Sequence, residues 1–368
     1  MNGKRVIVAG GGLIGCAVAW RLAQRGAKVR VIESARPGAG ASSAAAGMLA
    51  PLIEAHHDAL RVLSARSIAR FPGFVEELRE ASSIDAELQL SGKVDVAFDD
   101  QQFDVLRARY GDQLPEGVRE LTGDEARGVE PHVAEQATRA VFSAADGSVD
   151  NRKLMRASWL AASHAGAEFR TGSSVREVVC GRSGFEAVHL STGERIEGDA
   201  VVVCAGAWSS SIRGLPLPLP VFPVRGQMVA LELVPRVLQH IVMTMRCYIV
   251  PRTDGRVLVG STVERAGFDP RTTASGIAHL LNAALEAVPA LADANLVDSW
   301  AGLRPGTSDE LPILGADPRA PGVFYATGHY RNGILLAPIT ADAVAAAVME
   351  DGDGVDLSAF SAARFHER

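Results

Sequence analysis

Two arginines sit in glycine-bracketed stretches. Arg304 lies in Gly302-Leu303-Arg304-Pro305-Gly306, and Arg331 lies in Gly328-His329-Tyr330-Arg331-Asn332-Gly333. Arg304 has small or apolar neighbours, so its guanidinium needs an anion, and its planar fork matches a carboxylate with two parallel hydrogen bonds. Pro305 biases Arg304 towards an extended backbone. The competing fate for Arg304 is a structural ion pair with Asp309 or Glu310. Tyr248 lies in a strand pattern, where core packing is the commoner outcome, but a buried hydroxyl still needs a partner. No Ser/His/Asp triad is evident. The four cysteines, Cys16, Cys180, Cys204 and Cys247, lack metal-ligand spacing and read as reduced, buried thiols. The pair His56-His57 is adjacent, and adjacent residues do not share a helix face, so a metal site has little support.

A second kind of chemistry is written near the N-terminus. Arg5-Val6-Ile7-Val8-Ala9 reads as a buried strand, and Gly10, Gly12 and Gly15 follow in a GxGxxG arrangement. Leu13 to Arg25 has helical periodicity, and Gly26 stops it. Lys28 to Glu33 is a second strand ending in a carboxylate, eighteen positions past Gly15. Here Gly10 permits the tight turn, Gly12 lets a pyrophosphate approach the backbone, and Gly15 lets helix and strand pack closely. The helix N-terminus supplies free N–H groups and a positive dipole end. Glu33 is placed to accept hydrogen bonds from ribose hydroxyls. The plain alternative is a structural glycine turn.

The motif does not choose between NAD and FAD. The segment from Gly38 to Met48 offers small side chains where the chain can lie close to a bulky ligand, and Ser42 and Ser43 can bond phosphate. Its bland reading is a flexible linker, but Ala44-Ala45-Ala46 runs into an apolar Met48-Leu49. No second GxGxxG is present, so electrons are expected to reach a flavin directly from substrate.

The elements that must position these residues follow from the rest of the chain. Helical patterns cover Leu60–Ser67, Phe74–Glu80, residues 150–168 and Ile277–Val288, and a last helix runs from Asn332-Gly333 to about Met349. Residues 92–98 alternate like a half-exposed strand, and Ala200–Gly206 reads as a buried one. Asp254-Gly255 between two apolar runs signals a hairpin. Prolines at 216, 218, 220 and 223 punctuate a crossover. Parallel and antiparallel features interleave. The expected class is α/β: a discontinuous Rossmann-like nucleotide-binding domain (1–80, 150–215 and 301–368) plus an antiparallel β-sheet substrate domain with helices (81–149 and 216–300).

Composition narrows the function. The chain has 368 residues, 47% hydrophobic, with formal net charge -6. There is no basic run for nucleic acid and no apolar run long enough to span a membrane. No secretory signal is visible, so a cytoplasmic location is expected.

Five stretches carry a family resemblance: VIVAGGGLIG, ASSAAAGMLAP, CYIVPRTDGRVLVGST, WAGLRPGTSDELPILG and GHYRNGILLAP. With them the sequence resembles the flavin-dependent D-amino-acid oxidase superfamily, and within it the glycine oxidases of thiazole biosynthesis (ThiO type). The resemblance implies a two-domain fold and non-covalent FAD. It implies oxidation of a small amino acid's amine to an imine, with electrons passed to O2 to give hydrogen peroxide. That imine can feed the thiazole of thiamine or hydrolyse to glyoxylate and ammonia. Flavin contacts would fall at Leu13, Ile14, Glu33, Ser34, Ala41, Ser42, Ala46, Gly47, Met48 and Val175. They would continue through His329, Tyr330, Arg331, Asn332, Gly333, Ile334 and Leu335. Substrate contacts would fall at Arg304, Arg331 and Tyr248.

Hydride transfer from the substrate α-carbon to flavin N5 asks for a neutral amine and alignment, and needs no general base. No cysteine follows Cys247, so the covalent flavin linkage of related sarcosine oxidases is not expected. One departure is Arg246, where the family's glycine oxidases carry histidine; it is either an added cation at the substrate entrance or a solvent-facing residue. Alternatives remain: a sarcosine or N-methyl amino acid oxidase, a D-amino-acid dehydrogenase, or a non-catalytic flavin-binding subunit. The preferred amine and homo-oligomerisation are left open by the sequence.

Overall fold

The computed structural model describes residues 3–52, 57–352 and 355–366; His56 lies outside them. Its frame is a six-stranded sheet in the order Ile313–Ala316, Val323–Thr327, Ala200–Val203, Arg5–Ala9, Lys28–Ile32, Glu168–Arg170. All neighbours are parallel except the edge strand Ile313–Ala316. The alternation of a β-strand divides its side chains between two cores. Val6, Val8, Val29, Val31 and Val202 face the helices Leu13–Gln24, Asp58–Ser82, Asn151–His164 and Ala337–Met349. Ile7, Ala9, Ile32, Val201 and Val203 face a three-stranded antiparallel sheet, residues 175–197.

An eight-stranded sheet forms the second body. Its order is Asn295–Gly306, Phe222–Glu232, Arg256–Gly260, Tyr248–Pro251, Ile241–Met243, Lys93–Ala97, Arg139–Ser143, Val118–Thr122. The Asp254-Gly255 hairpin forms with Val250 opposite Leu258. Val229, Leu231, Ile249, Val257 and Val259 pack under the helix Ala274–Ala287. Met228, Ala230, Val250 and Leu258 face the other way, towards Ala46, Met48 and Tyr248.

Two local expectations are corrected. The patterns at Leu60–Ser67 and Phe74–Glu80 are parts of one helix, Asp58–Ser82, with Pro72 inside it. Proline costs an interior hydrogen bond. Here Phe71 and Phe74 flank it and are buried, with Phe74 5.9 Å from the Trp20 ring, so tertiary packing overrides the local penalty. The strand over 92–98 is not half exposed: Lys93–Ala97 is buried throughout. Its polar residues hid this, because they satisfy one another. Lys93 Nζ lies 2.8 Å from Asp95, 3.2 Å from Asp146 and 3.0 Å from the Tyr110 hydroxyl. Burial alone would lower the Lys93 pKa, but the two carboxylates outweigh it and hold it above its ordinary value.

Candidate active site

Between the two large sheets lies a cavity of about 1060 Å³. That is ample for a dinucleotide-sized ligand.

The first wall is the strand–glycine–helix turn, from which Gly10, Gly12, Leu13 and Ile14 line the cavity. Gly10 has φ 114, open only to glycine, and a Cβ there would overlap the Cys204 carbonyl. Gly15 does not line the cavity; a Cβ on it would overlap the Gly10 carbonyl, so it is the close-packing glycine of the turn. A Cβ at Gly12 would meet only the Ser42 hydroxyl, at 3.2 Å. The approach to the helix N-terminus is therefore open on the cavity side.

Glu33 and Ser34 line the end of the cavity beside this turn. Glu33 Oε2 accepts from the Gly11 amide at 2.7 Å, and Oε1 accepts from the Ala35 amide at 2.9 Å and the Ser34 hydroxyl at 3.1 Å. A carboxylate has about four lone-pair sites, so acceptor capacity remains for a ligand hydroxyl.

The small-residue segment forms the next wall. Ala41, Ser42, Ala46, Gly47 and Met48 line the cavity, and Ser43 does not. The segment is no loose linker: it holds a short helix, Ala41–Ala44, and a bridge from Met48 to Ser148. Ser42 Oγ accepts from the Leu13 amide at 2.9 Å, which leaves its own O–H free to donate. Val175 closes this end.

At the other end, Tyr248 and Arg304 come from the eight-stranded sheet and both line the cavity. Tyr248 donates to Met228 Sδ at 3.4 Å, and a Cβ at Gly260 would stand 2.7 Å from its ring. Arg304 has no carboxylate within ion-pair distance among the described residues. Its guanidinium donates to the Ser261 hydroxyl and to the Thr262 carbonyl at 3.2 Å. The competing partner Asp309 belongs instead to Arg364, at 2.7 Å. Arg246 turns to Glu286, 2.6 Å away, with both side chains about half exposed.

His329 to Leu335 form the last wall, all seven lining the cavity. His329 is buried, with Nε2 3.1 Å from Thr340 Oγ1, and burial pulls its pKa down to about 3, so the ring is neutral. Tyr330 takes φ 47 and donates its amide to Pro305, tying this loop to the Arg304 strand. Arg331 is exposed and 5.2 Å from the Tyr330 ring. The helix does not begin at Asn332-Gly333. One hydrogen-bonded turn, Leu336 amide to Asn332 carbonyl, precedes a regular helix that starts at Ala337 with Pro338 in its first turn. In that first turn the helix needs no N–H from Pro338, so the proline costs nothing there.

Sequence reasoning missed several wall residues. Gly226 lies under Arg304, and a Cβ there would overlap the guanidinium. Arg109 reaches the cavity from the end of the helix Asp100–Ala108, with Nη2 3.4 Å from Met245 Sδ. The rings of Trp208 and Phe268 pack at a tilt with centroids 5.6 Å apart, and Trp208 reaches the rim. A glycine inside a strand was the one available sign, at Gly226 and Gly260. Among the described residues no helix is long and apolar enough to cross a membrane.

The glycine cradle, the open helix N-terminus and the remaining acceptor capacity of Glu33 fit an adenine dinucleotide. Comparison with known proteins names the family. The model described as FAD dependent oxidoreductase (DAO) matches residues 5–347. A glycine oxidase of Geobacillus kaustophilus is 38% identical over 98% of this chain and 96% of its own. A bifunctional ThiO/ThiG protein of Synechocystis sp. is 35% identical over 98% of this chain, which spans 54% of that longer protein. The crystal structure of glycine oxidase from Geobacillus kaustophilus superposes with a TM-score of 0.91, covering 98% of this chain and 99% of that one. The resemblance carried by the five motifs holds across nearly the whole length, and the chain belongs to the FAD dependent oxidoreductase family (DAO).

Proposed function

We propose that this protein oxidises glycine and related small amines to the imine, with O2 reduced to hydrogen peroxide. The imine then hydrolyses to glyoxylate and ammonia or enters thiazole synthesis for thiamine, a reading supported by the naming of its ThiO/ThiG relative. The cytoplasm is the proposed location.

The carrying observation is Arg304. It is a guanidinium in the cavity wall with no carboxylate partner among the described residues, braced from behind by Ser261 and Thr262. Such a fork accepts a substrate carboxylate. Tyr248 supplies a hydroxyl on the same wall, and Arg331 supplies a second cation from the facing loop. Together they fix the substrate by its carboxylate and orient its α-carbon. The Gly10–Gly15 turn, Glu33, Ser34, the Ala41–Met48 segment, Val175 and the His329–Leu335 loop would hold FAD. When bound, FAD supplies a two-electron acceptor that O2 reoxidises. His329 on that loop stays neutral near pH 7. The substrate amine sheds its proton to solvent before reaction.

A panel of glycine, sarcosine and D-alanine, read by peroxide release and by anaerobic loss of the yellow colour, tests this. Peroxide from glycine supports it. Bleaching without peroxide points to a dehydrogenase, turnover of sarcosine or D-alanine alone moves the substrate, and no bleaching with any amine leaves a binding subunit.

A further inference from the structure

Arg252 ends the Tyr248–Pro251 strand and is 3% exposed, yet no carboxylate among the described residues pairs with it. Its neighbour Asp150 is 3.4 Å from Arg256 instead, and caps the helix Asn151–His164 through the Arg152 and Lys153 amides. A buried guanidinium without a counter-ion is costly unless its donors are satisfied. The Arg252 donors go to the Ala46 carbonyl at 2.8 Å, to Asn151 Oδ1 at 3.1 Å and to the Val149 carbonyl.

These bonds belong to a larger pattern. The carbonyls of the segment that lines the cavity are taken one after another by other elements. Asn151 Nδ2 donates to Ser42 at 2.8 Å, Arg152 Nε to Ser43 at 3.4 Å, and Trp300 Nε1 to Ala44 at 2.9 Å. Arg252 takes Ala46, and the Val149 amide takes Gly47 at 2.9 Å. The amides of Ala46 and Gly47, by contrast, have no acceptor among the described residues, although both residues are buried and line the cavity. A buried amide without a partner is rare, so its acceptor is to be sought in what fills the cavity. Gly47 takes φ 70, and a Cβ on it would overlap the Val149 carbonyl and come within 3.2 Å of Arg252 Nη2. Arg252 and Gly47 are thus fitted to one another.

We propose that Arg252 is a positioning residue for the cofactor: Ala46 packs with Met228 and Tyr248 at the proposed substrate end of the cavity, so Arg252 holds the Ala46–Gly47 turn with two free amides presented to the FAD ring system, and keeps a positive charge behind them. This rests on the reading of the cavity as the FAD site. Preorganised amides and a nearby cation favour negative charge where it develops, which for FAD is on reduction. Arg252 therefore raises both cofactor affinity and midpoint potential.

Two variants separate geometry from charge. Arg252→Met removes both. It is expected to weaken FAD binding to the apoprotein at least tenfold and to lower the midpoint potential by about 30 mV, the equivalent of tenfold for a two-electron couple. Arg252→Lys keeps the charge but replaces the planar fork that spans Ala46, Val149 and Asn151 with a single ammonium. It is expected to lose less of the potential than Arg252→Met does, while FAD binding still weakens. A lowered melting temperature in Arg252→Met with wild-type potential would leave Arg252 merely structural and overturn the proposal. If Arg252→Met does not fold, wild-type FAD affinity in Arg252→Lys overturns it. A wild-type protein that binds no FAD removes the reading of the cavity, and the proposal with it.

Discussion

Arg304 lies directly over Gly226. The two strands that carry them are paired with Gly226 opposite Gly302, and the space a methyl would fill at Gly226 is occupied by the guanidinium. The proposed substrate-carboxylate anchor therefore owes its position to a missing side chain on a neighbouring strand.

Gly226→Ala is expected to push Arg304 off its bed while the strands stay paired. KM for glycine should rise at least about tenfold, equivalent to about 1.4 kcal/mol, with FAD still bound. Arg304→Ala should show the same pattern more strongly. Steady-state kinetics alongside the flavin spectrum measure it; unchanged KM in both variants would take Arg304 out of the substrate site.

Glu33 acts at the other end of the cavity. Glu33→Ala removes the acceptor for the Gly11 and Ala35 amides and for ligand hydroxyls. Hydrogen bonds to a charged group contribute about 1.5–3 kcal/mol, so FAD should bind roughly 10- to 100-fold more weakly. At saturating FAD, KM for glycine should not move. Titration of apoprotein with FAD gives the first quantity, and kinetics in excess FAD the second.

His329 makes stability depend on pH. Its folded pKa, about 3, lies below the ordinary 6.5 because the ring is desolvated. Between those values the unfolded chain binds a proton that the folded one does not, so stability falls as pH drops from 6.5 towards 3. The effect is on the order of a few kcal/mol across that window. Urea unfolding at pH 7 and pH 4 should show a smaller loss for His329→Gln than for wild type; equal losses would mean that His329 titrates normally.

The buried cluster around Lys93 is stabilising only while complete. Lys93→Met leaves Asp95 and Asp146 facing each other without a counter-charge and should cost about 3–5 kcal/mol. A urea midpoint close to wild type would show that one carboxylate simply takes up a proton at little cost.

What could be read in the sequence was local. Strand, glycine turn, helix and terminal carboxylate are neighbours along the chain, so Gly10 to Glu33 announced a nucleotide site by spacing alone. The hairpin at Asp254-Gly255 was legible for the same reason. What could not be read depends on pairs distant in sequence. Gly226 under Arg304, Arg252 behind Gly47, and Lys93 beside Asp146 have no local signature. Lys93 and Asp95 even imitated an exposed strand, because polarity in a sequence does not say whether the partner is water or another side chain. The unbroken helix Asp58–Ser82 was hidden too, since the ring that packs on Phe74 beside Pro72 is Trp20 of another helix.

The eight-stranded sheet gives the molecule two kinds of mutable position on the same strands. Residues of one parity, such as Val229, Leu231 and Val259, are sealed against the helix Ala274–Ala287, while those of the other, such as Met228, Tyr248 and Gly260, form the cavity wall. Side chains on the second set can be exchanged without opening the first. Substrate range can therefore drift by alternate-residue substitution while the fold is inherited unchanged, and a register slip of one residue would forfeit both at once.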